Sequence, residues 1–551
     1  MFKQRTQRKK LLGRSLGRIV LGCCLAGLGA ALAPTAEAKD IELEVGIVQR
    51  FGEEPTDVLT IASAEGDLLT LHFLGDKQQP QTLQTSQVKL EVPRLPLQAP
   101  VVEERLVLSD HVTFETAEDS ANQWKALGIE VEVTQPERWQ VWAKRDVYQT
   151  PLLRRWLLQS LTAQGYEDPY LETEVLSEKP QVSFVINGDL YNQNQLEISA
   201  SENLNRISGR KNNQKRRLYA GSLKVQPNAY GNFTLVNQVP LETYLRGVVP
   251  HEIGHGAPKN AAEAQTIIAR TYALRNLRRF EADNYQLCAD VHCQVYQGLT
   301  GTAARADRAI AATKGLVLTY ENELVDALYS STTGGVTATF SDAWNGEERP
   351  YLRALIDAPT QLWDLSKHSL ADEQAFRRFI SLKQGFNETG RSVFRWNKQS
   401  SIGQLSADLR RYLKRRQHPL ADFKAIESME VTQRSPSGRI LKLEVQTDQG
   451  IVELHKTEVR SAFGPPRSTL FYLEPIYGAD RTLKAYAFVG GGFGHGVGLS
   501  QYGSYNLAKL GWSAEEILAF YYPGTTIQPL NDSIVFWRES TGDRGLLLTP
   551  N

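Results

Sequence analysis

The stretch His251-Glu252-Ile253-Gly254-His255 has the letters of a zinc-protease site. That chemistry needs both imidazoles one turn apart on a continuous helix, so that both nitrogens reach one metal. Here Pro250 precedes the motif, and Gly254, Gly256 and Pro258 interrupt it. Proline costs about 3 kcal/mol and glycine about 1 kcal/mol in a helix interior. PHEIGHGAPKN therefore reads as a loop before a helix, and the zinc-protease reading is the weakest of those considered. A second cluster, Cys288, His292 and Cys293, offers three soft ligands. An adjacent His-Cys pair after a four-residue gap is not a standard zinc-finger spacing. Three readings stay open there: a structural zinc, a Cys288–Cys293 disulfide, or free thiols. His495 sits in Gly-Phe-Gly-His-Gly-Val-Gly. Such a run lets the backbone approach a ligand closely and leaves the imidazole accessible.

These residues need elements to hold them. Residues 39–100 alternate apolar and polar residues in short strands, closing on the proline-rich PRLPLQAPVV (93–102), which reads as a linker. Residues 101–178 read strand, helix, strand, strand, helix, strand. From 179 to 359 short strands with Asn-Gly and Gly-Asn turns lead into a helix-rich centre. LETYLRGVV (241–249) and AAEAQTIIARTYALRNLRRFEA (261–282) carry apolar residues at helical spacing. Residues 360–435 read as a polar helical insertion, and 436–551 return to strands. The class predicted is α+β, with several domains.

Three segments in order carry a resemblance. VPLETYLRGVVPHEIGHGAPKNAAEAQTIIARTYAL contains Glu252 in a short loop. Ala264, Gln265, Ala269, Arg270 and Thr271 follow on a helix. ALYSSTTGGVTATFSDAWNGEERPYLRALIDAP (327–359) follows, then GGGFGHGVGLSQYGSYNLAKLGWSAEEILAFYYPGTTI (490–527). Together they resemble the SpoIID/LytB family of sporulation and amidase-enhancer proteins. Its pattern has S-E-M-P in the loop, A-Q-A-x-A-A-R-T on the helix, a serine-glycine stretch, and G-H-G-V-G-L-S-Q-Y-G-A near the end. His251 stands where that pattern has serine, and Gly254 where it has proline. VWAKRDVYQTPLLRRWLLQSLTAQGY is similar to SPOR domains, which implies glycan-strand binding by residues 101–178.

The resemblance implies a peptidoglycan lytic transglycosylase-like enzyme with Glu252 as the single catalytic acid and base, acting on MurNAc–GlcNAc strands. The alternative it implies is a non-catalytic amidase enhancer that binds the wall and activates an N-acetylmuramoyl-L-alanine amidase. His495, Gln501, Tyr502, Ser330, Ser331, Thr332, Arg270 and Gln265 are the expected substrate contacts, with His495 also a candidate electrostatic partner of Glu252. Arg270, mid-helix, reads alternatively as one half of a structural ion pair. The reaction requires no cofactor; zinc near Cys288, His292 and Cys293 would be structural.

Composition sets bounds. The 551 residues hold 62 basic and 62 acidic side chains, and this balance gives no global attraction to nucleic acid. The basic start (Lys3, Arg5, Arg8, Lys9, Lys10, Arg14), the apolar run IVLGCCLAGLGAALA and Ala36 and Ala38 read as a signal peptide over 1–38. A lipid-modified Cys23 is the lesser reading. Removing the signal leaves a chain without a further membrane span, destined for the periplasm or cell wall, where oxidising surroundings permit a disulfide between the remaining two cysteines.

Overall fold

The computed structural model describes residues 41–75, 78–209 and 216–538. The signal peptide expected over 1–38 lies outside the described residues.

Alternation builds the first half. Leu59 and Ile61 of Val58–Ser63 are buried, as are Leu69, Leu71 and Phe73 of Leu69–Leu74. A period of two places each set on one face of its strand. Two sheets use these faces. One runs Leu287–Cys288, Glu42–Phe51, Phe233–Pro240, Ser222–Pro227, Leu196–Ala200, Leu69–Leu74, Pro80–Thr85. The other runs Asp189–Gln193, Val182–Ile186, Gln87–Glu91, Val58–Ser63, Leu204–Gly209, Arg217–Ala220. They share one core, with Leu43, Ile61, Leu71, Leu90, Phe184, Ile198 and Leu235 in it. Strands from 41–91 thus interleave with strands from 182–240, so regions separate in the sequence reading are one structure.

The stretch expected as a linker is a strand. Arg94–His111 pairs antiparallel with Tyr170–Pro180. Pro96 lacks an N–H, and the ladder answers with a register shift between Pro96 and Val101. With Val131–Thr134 and Trp139–Ala143 these strands make a four-stranded sheet. Helices α1 (Phe114–Ala126) and α2 (Pro151–Ala163) complete that module.

The helical centre follows: α3 (Leu241–Glu252), α4 (Lys259–Arg275) and α5 (Ala304–Ala312). All but three residues of α4 are buried, so its small Ala side chains and its polar ones alike face packed neighbours. Beyond it lie α6 (Glu373–Ser381), α7 (Ile402–Arg415) and α8 (Glu458–Ala462). Last come α9 (Gln501–Lys509) and α10 (Ala514–Tyr521). The segment 360–435, expected to be helical, also holds Arg395–Ser401 paired with Leu483–Gly491, and most of Ile426–Arg434 paired with Ile440–Thr447. Phe376, Phe379, Leu405, Leu409 and Leu413 are buried beneath its polar face. Among the described residues no helix is long and apolar enough to cross a membrane.

Candidate active site

Glu252 is the last residue of α3. The stretch expected as a loop is therefore helical through Glu252, with Pro250 inside the final turn. The buried stripe Leu241, Tyr244, Leu245, Val248 and Val249 anchors this helix from its first turn, which outweighs the penalty of one proline near its end. Gly247 brings the segment 296–298 against the helix: a Cβ there would lie 2.4 Å from the Gly298 carbonyl oxygen. That approach places the Val295 amide on the acid, donating to Glu252 Oε1 at 2.7 Å.

Two further donors reach the same carboxyl. Gln501 Nε2 lies 3.5 Å from Oε2, and the Tyr329 side chain is also hydrogen-bonded to it. Tyr329 is itself fixed, because Gln294 Nε2 donates to its hydroxyl at 3.1 Å and Tyr244 donates to Gln294 Oε1 at 3.3 Å. Glu252 is half-buried, and burial raises its carboxyl above the ordinary range against the pull of Val295, Gln501 and Tyr329. An acid whose proton is held more tightly than usual, and which stays open on one side, is equipped for general acid chemistry.

Tyr329 and Gln501 come from segments that touch. Tyr329–Ser330 pairs in parallel with Leu499–Ser500, and Ser500 caps α9. Gly498, at φ +71°, makes the bridge feasible: a Cβ there would lie 2.0 Å from the Leu328 carbonyl oxygen. Glu252, the 329–335 stretch and the 490–502 stretch therefore meet at one place.

His495 stands beside this site, and its surroundings rule out the electrostatic half of its expected role. Its Nδ1 accepts the Val497 amide at 3.0 Å, and its ring packs on Trp344 with centroids 5.0 Å apart. Burial, then Arg460 and Arg439, push its pKa down to about 3, against a hydrogen bond with the Tyr329 backbone. The ring is neutral, so it is no charged partner for Glu252.

Other expected contacts fall in the interior. Arg270 is fully buried and bidentate to Glu242 at 2.7 and 2.8 Å, tying α4 to the first turn of α3. It orients the helix that carries the acid, not the substrate. Gln265 and Thr332 are fully buried and Ser330 nearly so, because the faces that carry them pack against the core. Ser331 and Tyr502 are half-buried, and the Tyr502 amide donates to the Ser331 carbonyl at 3.2 Å. Tyr329, Gln294 and Trp344 are not among the expected contacts, although Tyr329 and Trp344 lie in the 327–359 segment and Gln294 directly follows Cys293.

Cys288 and Cys293 are joined by a disulfide, while His292 is exposed. A zinc there would need both sulfurs as thiolates, so the bonded pair does not fit the metal. Among the described residues no group of three or more His, Cys, Asp or Glu could hold a metal ion. His255 lies beyond the end of α3, so the helical geometry of a zinc-protease pair is not formed; His251 Nε2 instead lies 3.0 Å from the Thr300 carbonyl oxygen.

The fold and site define an α+β protein with one acid held by three donors where glycine-rich segments cross. Residues 229–320 match the family model described as Stage II sporulation protein (SpoIID), and residues 338–498 match a domain of unknown function (DUF8618). The chain is similar to the amidase enhancer of Bacillus subtilis, 27% identical over 393 residues, 63% of this chain and 52% of that protein. It therefore spans about half the length of that relative. It is also similar to stage II sporulation protein D of Bacillus subtilis, 25% identical over 328 residues, 56% of this chain and 81% of that protein. Over residues 229–320, and over the stretches shared with these relatives, the chain is similar to the SpoIID/LytB family.

Proposed function

We propose that this chain cleaves peptidoglycan glycan strands as a lytic transglycosylase, with Glu252 as its only acid and base. The observation that carries the reading is the half-buried Glu252, held by Val295, Gln501 and Tyr329 and with its pKa raised by burial. Most glycosidases use two carboxyl groups. One suffices where the substrate supplies the rest. Protonated Glu252 donates to the bridging oxygen, and the bond from that oxygen to the muramic acid C1 breaks. The N-acetyl oxygen of the same sugar stabilises the cation. Its C6 hydroxyl then adds to C1 and returns a proton to the Glu252 carboxylate, leaving a 1,6-anhydro end. No metal takes part.

The Bacillus subtilis relative's name favours a second reading. In it the chain binds the wall and stimulates a separate amidase. A SPOR-like module at 101–178 and a periplasmic or cell-wall location, both part of this proposal, fit a wall partner in either case.

Purified protein incubated alone with purified sacculi, followed by mass spectrometry, separates these. Anhydro-muropeptides should appear with the wild type and vanish with Glu252→Gln, whose amide has no proton to give. Release by the variant would remove Glu252 from the role. Soluble product only when an amidase is added would establish the enhancer.

A further inference from the structure

Two carboxyl groups, Asp357 and Glu388, lie fully buried behind the site, and neither is among the expected site residues. Glu388 is contributed by the segment 360–435 and is 0% exposed. Its carboxylate accepts from the Thr333 amide, from Gly334 N at 2.9 Å, Gly335 N at 3.2 Å and Ser500 Oγ at 2.6 Å. One side chain thus grips both partners of the Tyr329–Ser330 and Leu499–Ser500 bridge. Tyr329 and Gln501, which hold Glu252, lie within a few residues of its contacts.

Asp357 completes the arrangement. Its Oδ1 accepts from Asn387 Nδ2 and from the Tyr521 hydroxyl, both at 2.8 Å. Its Oδ2 lies 3.0 Å from Thr333 Oγ1, which in turn lies 2.9 Å from Glu388 Oε1. The threonine hydroxyl has one hydrogen and faces two acids. The count closes if Asp357 carries a proton, donates it to Thr333, and Thr333 donates to Glu388. Two ionised carboxylates in this dry space would repel strongly.

We infer that Glu388, Thr333 and Asp357 form a one-proton clamp in which Glu388 is the positioning residue for Tyr329 and Gln501. The inference rests on the reading of Glu252 as the reacting acid. Burial and then the facing Glu388 push the Asp357 pKa up to about 8. The other charged or titratable groups facing the pair are Arg395, which donates to the Gly334 carbonyl at 2.8 Å, Arg439, which donates to the Thr333 carbonyl at 2.6 Å, and Tyr521. Both guanidiniums stay charged through the range of interest, and burial holds the Tyr521 hydroxyl well above its ordinary value. Asp357 is therefore the group that titrates. The folded chain holds this proton more tightly than the unfolded chain. The stability it brings is present below about pH 4 and is lost as pH rises to about 8.

Two variants and two readouts test the clamp. Asp357→Asn reproduces the protonated acid, with its oxygen toward Asn387 and Tyr521 and its amide donating to Thr333. It should keep the wild-type kcat on sacculi at pH 7. Glu388→Gln points an amide donor at N–H and O–H donors. It should lower kcat by about a hundredfold with KM within about twofold, as displacement of a catalytic frame by about 1 Å does. Hydrogen-exchange protection of 329–335 and 499–501, which needs no activity, should fall through about pH 8 in the wild type and stay flat in Asp357→Asn. Equal loss in both variants, or an unchanged pH course in Asp357→Asn, overturns the clamp. If Glu388→Gln does not fold, the exchange profile of Asp357→Asn decides alone. If sacculi are not cut but protection behaves as stated, the clamp stands and the transglycosylase reading fails.

Discussion

At the scale of residues, the environment of one acid sets its chemistry. Three hydrogen bonds lower the Glu252 pKa and burial raises it by more. The acid must start protonated, so the rate should decline as pH rises through that raised value. Gln501→Ala removes one lowering contact and leaves the carboxyl higher still. Its declining limb should therefore lie at higher pH than the wild type's in a pH profile of kcat/KM; a shift downward would contradict the hydrogen bond at Gln501. The sequence disclosed Glu252, Gln501 and the His495 loop because they stand in recognisable strings. It concealed Glu388, a polar letter in FNETG with no motif around it. It placed Gln265 and Thr332 among the substrate contacts, and left Arg270 open between a contact and the ion pair it proves to be, because a polar residue on a buried face looks the same in the string as one on an open face.

At the scale of elements, glycines decide where chains can touch. Gly498 sits in the left-handed region with the Leu328 carbonyl oxygen where its Cβ would be. Gly498→Ala meets both the conformational penalty and the clash. It should destabilise the protein by more than about 2 kcal/mol in urea denaturation and lower anhydro-muropeptide release with it. α3 shows the limit of local reading. Proline and glycine near its end spelled a loop, while its buried stripe and the Arg270–Glu242 pair held the helix through Glu252. The proline-rich 93–102 likewise read as a linker because pairing with a strand some eighty residues away leaves no mark in a short window.

At the scale of the whole molecule, distant stretches complete one another. Strands from 41–91 and 182–240 share a core that alternation foretold strand by strand, but partner choice is a long-range property that no single stretch states. The Cys288–Cys293 bond closes a short loop, and a loop of this length is worth about 2 kcal/mol of stability. Val295, two residues on, donates to Glu252. Replacing both cysteines by serine should lower the melting temperature by a few degrees. It should also move the declining limb of the pH profile upward, because a looser amide lowers the acid less.

The position of that cross-link gives the acid a dependence on its surroundings. A chain kept in a thiol reductant should present Glu252 with a slacker donor than the bonded chain does. Reducing the bond should therefore raise the pH at which the site gives up its proton.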